Sequence, residues 1–264
     1  MHELTITHNA GFFSCCSVRL HDIIHFFNTH KRLPQSINVS SQFAAYKSNA
    51  GDPCEDINPL LFKDIQPNII NFVKEIDYHH DHQFTPYYQL DFENLTPFIY
   101  KYFSLCEEID NNIKLKQEKY SIDYSNTASV FYRGNDKVTE TKIGSYNEFF
   151  DKCQKIYNSN NNIRFLIQTD EQEFRDEFQQ NFYNTFFFED MPCIKKNTSI
   201  AMQHVVDASQ KHKFAQQILS VTNIVARCNH LITHSGNCGI WATLFRGNAT
   251  NVHQYLMHPD QGWV

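Results

Sequence analysis

Two cationic side chains flank a glycine near the middle of the chain, in the run Arg133-Gly134-Asn135-Asp136-Lys137. A guanidinium donates two parallel hydrogen bonds to a phosphate, and an ammonium adds a compact positive charge beside it. These residue types at this spacing therefore indicate a site for an anionic ligand. A solvated turn with a local ion pair would give the same pattern.

A second run, His234-Ser235-Gly236-Asn237-Cys238-Gly239, places small residues at the start of a predicted helix. Free backbone N–H groups and the positive end of the helix dipole bind phosphate at such a position. Together the two runs outline a pyrophosphate clamp. Taken alone, Ser235 and Gly236 fit the N-cap of a helix equally well, and the same holds for Asp170 in the run Gln168-Thr169-Asp170-Glu171.

Each of the three polar runs follows a predicted strand, at 128–132, 163–168 and 230–233. Helices predicted at 145–157, 171–179, 208–227 and 237–245 alternate with these strands, and a further strand is predicted at 185–188. This alternation predicts an α/β protein with a parallel sheet that is covered on both faces. Because ligands bind at the carboxyl ends of such strands, we expect the three runs to meet.

The N-terminal part opens with a strand at 4–8, the turn Asn9-Ala10-Gly11, a helix that ends before Pro34 and a strand at 36–39. The punctuated stretch 51–97 has no clear periodicity. One helix is predicted at 98–115, and it runs into a charged stretch at 114–119. That helix is the expected connector between two lobes.

Three segments of the C-terminal half resemble a known family. Residues 130–150 resemble the first signature of the α1,6-fucosyltransferases and their nodulation and protein O-fucosyltransferase relatives, His-x-Arg-Arg-x-Asp-Lys followed by Val-Gly-Thr-Glu. Residues 167–171 are similar to their strand-ending Thr-Asp-Asp, and residues 218–239 resemble their third segment, which ends in Thr-x-Ser-Ser-x-x-Cys. The segments occur in the family order over residues 128–245, about half of the chain.

The resemblance implies a GT-B-like pair of Rossmann-like lobes, with residues 1–115 on the acceptor side and residues 116–264 binding the nucleotide sugar. It implies an inverting glycosyltransferase that moves fucose from GDP-fucose to a hydroxyl of a glycan or other acceptor, with no metal or cofactor. Carried over by position, Arg133 binds phosphate, Lys137 lies beside the leaving group and Glu140 is the base. The expected substrate contacts are Tyr132, Asp136, Asp170, Ser220, His234, Ser235, Gly236, Asn237 and Cys238, with Asn9 and Gly11 in the N-terminal loop.

Four positions depart from the family pattern. Phe131 stands where the family has histidine, Gly134 where it has a second arginine, and Ser220 where an aspartate contacts the nucleotide. One residue is missing before Glu140. The alternative function is therefore a catalytically inactive protein that keeps the nucleotide-sugar cleft without turnover.

A sugar hydroxyl is a poor nucleophile until a base takes its proton, so the transfer needs a carboxylate near the acceptor. Glu140 fits this role by its place in the motif. If the missing residue turns the Glu140 side chain out of the cleft, Asp136 or Asp170 would be the next candidate for the base.

Two other constellations compete with this interpretation. The run Tyr78-His79-His80-Asp81-His82 offers imidazole and carboxylate ligands for a transition metal, although adjacent residues on a loop rarely converge. The residues around Cys238 resemble the nucleophile region of papain-like proteases, but they lack the second cysteine of that region. Only His253 and His258 follow Cys238 as candidates for the catalytic histidine.

Bulk composition excludes several classes. The 264 residues carry a formal net charge of −6 with scattered basic residues, which argues against a nucleic-acid binder. No window approaches the roughly 18 apolar residues of a membrane span, and residues 1–10 lack a cationic flank before an apolar core. Eight cysteines without CxxC spacing predict free thiols, so we expect a soluble protein of the cytoplasm.

Overall fold

The computed structural model describes residues 3–48, 55–63, 65, 74–139, 142–197, 199–257 and 261–264. Within these ranges the helices are α1 Phe12–His30, α2 Phe92–Phe103, α3 Glu107–Lys119, α4 Tyr146–Ser159, α5 Gln172–Asn181, α6 Lys211–Arg227 and α7 Asn237–Arg246. The strands are β1 Glu3–Thr5, β2 Ser36–Asn38, β3 Thr127–Tyr132, β4 Arg164–Thr169, β5 Thr185–Phe186, β6 His230–His234, β7 Val252–Leu256 and β8 Gly262–Trp263.

The C-terminal half is organised around a six-stranded sheet of order β5-β4-β3-β6-β7-β8. Its neighbours pair in parallel except β7 and β8, which pair antiparallel. Counted from β3, this is the Rossmann strand order 3-2-1-4-5-6, in which successive strands move one way from β3 and then the other way. The reversal opens a crevice between the carboxyl ends of β3 and β6.

The central strand β3 is buried at all six positions, as expected for a parallel sheet with helices on both faces. Successive side chains of a strand point to opposite faces. Phe131 packs into the core that contains residues of α1, α6 and α7, whereas Val130 and Tyr132 pack against α4 and α5. The predicted α/β class and parallel sheet are therefore confirmed.

Capping residues define two helix ends at the positions that the sequence predicts, and a third end differs. Ser145 and Glu148 form a reciprocal capping box at the start of α4. Gly247 ends α7 in the left-handed conformation, with φ of 73°. The long helix α6 starts at Lys211 rather than at residue 208, because residues 208–210 form a 3-10 turn instead.

The single helix predicted at 98–115 is wrong, since α2 and α3 are separate helices. Ser104 between them is extended, and its hydroxyl donates to the Tyr100 carbonyl. Leu105 forms an isolated antiparallel bridge with Phe62, so pairing with a distant segment interrupts the helical periodicity. The division between residues 115 and 116 falls inside α3 and stays a prediction. Strands β7 and β8 were not predicted.

The N-terminal segments are fastened to the C-terminal sheet by helix packing and by polar contacts. Ile109 and Ile113 of α3 belong to the same core as residues of α6. Trp241 Nε1 of α7 donates to Ser17 Oγ of α1, which donates to Asn237 Oδ1 at 2.6 Å. In the described ranges, no helix combines the length and the apolar character needed to cross a membrane.

Candidate functional site

A cavity of about 430 Å³ lies at the crevice between the ends of β3 and β6. Its size is within the usual range for small-molecule sites, and its place at the reversal of strand order is where such sheets bind ligands. The walls come from several parts of the chain, among them the start of α1, the ends of β3, β4 and β6, and one face of α6. The polar wall includes Arg133, Asp136, Lys137, Gln168, Asp170, His234, Ser235, Gly236, Asn237 and Cys238.

The guanidinium of Arg133 is held by two carboxylates at the edge of this cavity. Its Nε donates to Asp170 Oδ2 at 2.8 Å, and its Nη2 donates to Asp136 Oδ1 at 2.6 Å. Asp170 is 3% exposed, and its other oxygen accepts from the Gly134 N–H at 3.0 Å. Asp170 therefore orients the arginine. It is not the N-cap of α5, because that position is Glu171, whose side chain makes no cap hydrogen bond.

Arg133 carries a permanent positive charge in the cavity wall. Burial lowers the pKa of its guanidinium, but the neighbouring Asp170, Cys238 and Asp136 outweigh burial and raise that pKa well above its ordinary value. Lys137 lies on the same wall, with its Nζ 6.0 Å from the centre of the Phe84 ring. Two cations of different geometry therefore face one space, as expected from their spacing in the sequence.

Helix α7 presents its N-terminus to the cavity. Gly236 is its N-cap, and among the described residues no side chain caps its first turn, which also contains no acidic residue. Ser235 does not cap the helix, because its backbone N–H donates to Tyr255 and its hydroxyl accepts from Gln254 Nε2. The first-turn N–H groups at 237–239 thus supply the positive end of a helix dipole.

Helix α1 presents its N-terminus to the same cavity from the other half of the chain. Gly11 is its N-cap, again without a described side-chain cap or an acidic first turn, and residues 10–14 line the cavity. The Phe12 N–H donates to the hydroxyl of Tyr46, which also lines the cavity. Two helix dipoles and two cationic side chains therefore converge, an arrangement suited to a doubly charged anion.

His234 contributes a neutral imidazole to the wall. Burial, together with the positive charges of Lys137 and Arg133, lowers its pKa to about 3. Its Nε2 is buried and has no hydrogen-bond partner among the described residues, while its ring lies 4.7 Å from that of Phe149. A group with this pKa is a poor proton acceptor, so His234 is suited to hydrogen bonding rather than to base catalysis.

The opposite wall of the cavity is largely apolar. Ile218, Val221 and Thr222 of α6 stand at helical spacing on one face of the helix, and Phe131 and Phe214 extend the surface. A ligand with a charged end and a less polar body fits such a division of the walls.

The structure brings most of the predicted site residues together but leaves out three. Tyr132 points to the opposite face of the sheet and stacks on Phe174 at 4.0 Å. Ser220 lies away from the face of α6 that lines the cavity, is fully buried and donates to the Gln216 carbonyl. The Asn9 side chain accepts from the Ala44 N–H and is not on the wall, although Gly11 is. Glu140 lies outside the described residues.

The departure at Gly134 has a steric cause. A Cβ at this position would lie 1.6 Å from the Glu171 carboxylate, whose other oxygen is 3.1 Å from Lys196 Nζ. Glu171 is fully buried and occupies the space into which a side chain at position 134 would point. This position therefore accepts glycine only, as long as Glu171 stays in place.

The thiol-protease alternative finds no support in the geometry. Burial raises the pKa of Cys238, so its thiol is neutral at neutral pH, and Arg133 Nη1 lies 3.4 Å from the sulfur. His253 does not line the cavity, and its Nε2 is 3.2 Å from His230 Nδ1. His258 lies outside the described residues.

Several cavity residues were missed from the sequence. Gln83 and Phe84 come from the stretch without clear periodicity, where a short 3-10 turn at His80–Phe84 gives no recognisable signal. The Gln83 carbonyl accepts from the Gly236 N–H at 2.9 Å, so this turn positions the start of α7. On α6, Val221 rather than Ser220 lines the cavity. The helical period alone could not predict this, because it does not show which face of the helix meets the sheet.

Solved structures of known proteins support the fold. No protein-family model and no curated protein matches the chain. NodZ alpha-1,6-fucosyltransferase soaked with GDP-fucose has a TM-score of 0.58 and 12% identity, covering 96% of this chain and 94% of that one. The fucosyltransferase NodZ from Bradyrhizobium has a TM-score of 0.57 and 11% identity, covering 100% and 98%. The chain shares the fold of these structures, as the resemblance implied.

The two helix-start glycines should respond differently to a methyl group. Gly236 has φ of 132° and ψ of 171°, a conformation that non-glycine residues rarely adopt, and an added Cβ would lie 3.2 Å from Lys137 Cε. We expect Gly236→Ala to cost about 1–3 kcal/mol in the free energy of unfolding, measured by urea denaturation.

Gly11→Ala is the matched control, because Gly11 has φ of −57° and nothing lies within 4 Å of the added Cβ. Its cost should stay below about 1 kcal/mol, the difference between glycine and alanine at an N-cap. Equal costs for the two variants would show that the backbone of Gly236 is not constrained as described.

Protein stability should fall with acidification through His234. Its folded-state pKa of about 3 is below the ordinary 6.5, so between these values only the unfolded chain takes up the proton. The stability that this histidine contributes is complete above pH 6.5 and is lost as the pH falls toward 3. His234→Gln should reduce the slope of unfolding free energy against pH by about 1 kcal/mol per pH unit. The exposed His204→Gln should leave that slope unchanged.

Proposed function

We propose that the protein is an inverting glycosyltransferase that transfers fucose from GDP-fucose, or a related sugar from its nucleoside diphosphate, to a hydroxyl of a glycan or other acceptor. The observation that carries the proposal is the convergence of Arg133, Lys137 and two helix N-termini with glycine N-caps on one cavity. Two solved structures of NodZ alpha-1,6-fucosyltransferase that share this fold were obtained with GDP-fucose and with GDP.

The pyrophosphate of the donor would lie against the cationic wall. The departing nucleoside diphosphate gains negative charge as the sugar bond breaks, and Arg133 with the two helix N-termini stabilises that charge without having to reorganise. Lys137, next to Gly236, would hold the leaving phosphate. Each such interaction is worth on the order of 10²-fold in rate.

The nucleoside and the sugar would occupy the remainder of the cavity. The apolar face of α6 with Phe131 offers a surface for the base. Residues 1–115 would supply the acceptor side and residues 116–264 the nucleotide side. No metal is needed at the reacting bond in this scheme, because the protein already supplies the positive charge.

A carboxylate must take the proton of the acceptor hydroxyl, and Glu140 holds that role by its place in the motif. On the described part of the cavity wall the carboxylates are Asp136 and Asp170. Asp170 already accepts hydrogen bonds on both of its oxygens. Asp136 is 26% exposed against 3% for Asp170, so an acceptor can reach it more easily and it is the alternative base, at the cost of its contact with Arg133.

The alternative is a protein that binds the nucleotide sugar without turnover. The space beside Gly134 is filled by the Glu171 carboxylate, so the second cation of the family signature has no equivalent there. Thermal shifts with GDP, UDP, CMP and ADP, followed by donor hydrolysis and transfer assays, separate the two functions. A selective shift with turnover supports the transferase, a selective shift alone supports the binding protein, and no shift contradicts both.

Arg133→Ala should weaken GDP binding far more than guanosine binding, because the lost contacts are to phosphate. Charged hydrogen bonds are worth about 1.5–3 kcal/mol, so a loss of about 10- to 100-fold in GDP affinity is expected by calorimetry. Arg133→Lys should fall between the two, since it keeps the charge but not the fork. The exposed Arg32→Ala is the control for overall charge. An equal loss for guanosine and GDP would place Arg133 away from the phosphates.

Glu140→Gln removes the proton acceptor and keeps the size of the side chain. If Glu140 is the base, transfer should fall by about 10²-fold or more while GDP affinity changes little. Asp136→Asn is measured in parallel, and the exposed Glu118→Gln is the control. Wild-type turnover in Glu140→Gln would remove Glu140 from the mechanism, and a selective loss in Asp136→Asn would then assign the base to Asp136.

A further inference from the structure

Three imidazoles converge outside the cavity. His21 belongs to α1, His79 is the N-cap of the 3-10 turn His80–Phe84, and His80 is the first residue of that turn. One ring nitrogen of each histidine lies within 4.8 Å of those of the other two. The ring centres are 4.5 Å apart for His21 and His79, 5.4 Å for His21 and His80, and 4.2 Å for His79 and His80.

This spacing is close to that of a metal centre. With a zinc–nitrogen bond of about 2.0 Å and tetrahedral angles, the ligand nitrogens of one site lie about 3.3 Å apart. The side chains of His79 and His80 are 45% and 39% exposed, so they have room for the small rotations that close the remaining gap. Imidazole nitrogen is a good ligand for zinc, copper, nickel and cobalt.

One nitrogen of each ring lies near an oxygen. His21 Nδ1 lies 3.3 Å from the Tyr78 carbonyl, His79 Nδ1 lies 3.3 Å from Asp81 Oδ2, and His80 Nε2 lies 3.6 Å from Asp81 Oδ1. When these nitrogens carry the proton, the other nitrogen of each ring has its lone pair available. Metal-bound histidines characteristically donate their second N–H to a carboxylate or a backbone carbonyl in this way.

His80 provides an independent observation. Its Nδ1, the nitrogen that this tautomer leaves with a lone pair, is buried and has no hydrogen-bond partner among the described residues. His79 Nδ1 also lies 3.2 Å from the Asp81 N–H, a contact that uses the other tautomer of the ring. Metal binding would select the tautomer in which Nδ1 donates to the Asp81 carboxylate instead.

We propose that His21, His79 and His80 bind a divalent transition metal of the zinc class, with Asp81 orienting two of the three rings. The ligand set differs from the run 78–82 noted in the sequence. His82 belongs to the capping box of the turn, where its Nδ1 accepts from the His79 N–H, and His21 from α1 takes its place.

The metal would join α1 to the turn that lines the cavity. The turn ends at Gln83 and Phe84, which lie on the cavity wall, and the Gln83 carbonyl accepts from the Gly236 N–H. The site itself is separate from the cavity, so the metal has a structural role and takes no part in sugar transfer. Its existence does not depend on the proposed function.

Zinc titration of the full chain, freed of metal with a chelator that is then removed, tests the site. Calorimetry without nucleotide should show about one equivalent bound, and zinc should raise the unfolding temperature. His21→Ala and His80→Ala should each weaken zinc binding at least about tenfold, and Asp81→Asn should weaken it by about 10- to 100-fold. The exposed His204→Ala should bind zinc like the wild type.

Circular dichroism checks that each variant is folded, and the absorption bands of bound Co²⁺ report nitrogen ligation directly in the wild type. The absence of zinc binding, or wild-type affinity in folded His21→Ala and His80→Ala, would overturn the proposal. Because no nucleotide is present, these outcomes are independent of whether the protein transfers a sugar.

Discussion

The contact between Arg133 and Asp170 is the constraint on which the site depends. It joins the ends of the neighbouring strands β3 and β4, and it keeps a permanently charged guanidinium at the crevice where the strand order reverses. Asp170 also accepts from the Gly134 N–H, and its carbonyl accepts from Asn135 Nδ2, so one residue fixes the whole turn after β3. The Asp170 carboxylate is buried, and a buried charge that has lost its partner is strongly destabilising.

Positive charge at this crevice comes from both halves of the chain. The start of α7 directly follows β6 of the six-stranded sheet. The start of α1 reaches the cavity because Ser17 forms hydrogen bonds with Asn237 and Trp241 of α7. The same packing brings His21 of α1 beside the turn that carries His79, His80 and the cavity residues. The position of α1 therefore determines both one wall of the cavity and the histidine cluster.

The regular half of the fold could be predicted from the sequence, because buried parallel strands and amphipathic helices each have a period. The same is true of the place of Arg133, Lys137 and Gly236 on the cavity wall, because they follow strands at the edge where such sheets bind ligands. The break between α2 and α3 could not be predicted, since Leu105 pairs with the distant Phe62. Nor could the placing of His21 beside His80, because the two lie on segments with no local relation in the sequence.

Arg133 has enough donors to hold Asp170 and to bind a phosphate at the same time. Its guanidinium has five N–H donors, and the contacts with Asp170 Oδ2 and Asp136 Oδ1 use one from Nε and one from Nη2. Asp170 is buried and also holds the backbone of Gly134, whereas Asp136 is more accessible and sits on the cavity wall. Three N–H groups on Nη1 and Nη2 remain, one of them donating to Cys238 Sγ at 3.4 Å, so a phosphate could accept from the guanidinium while the contact with Asp170 stays in place.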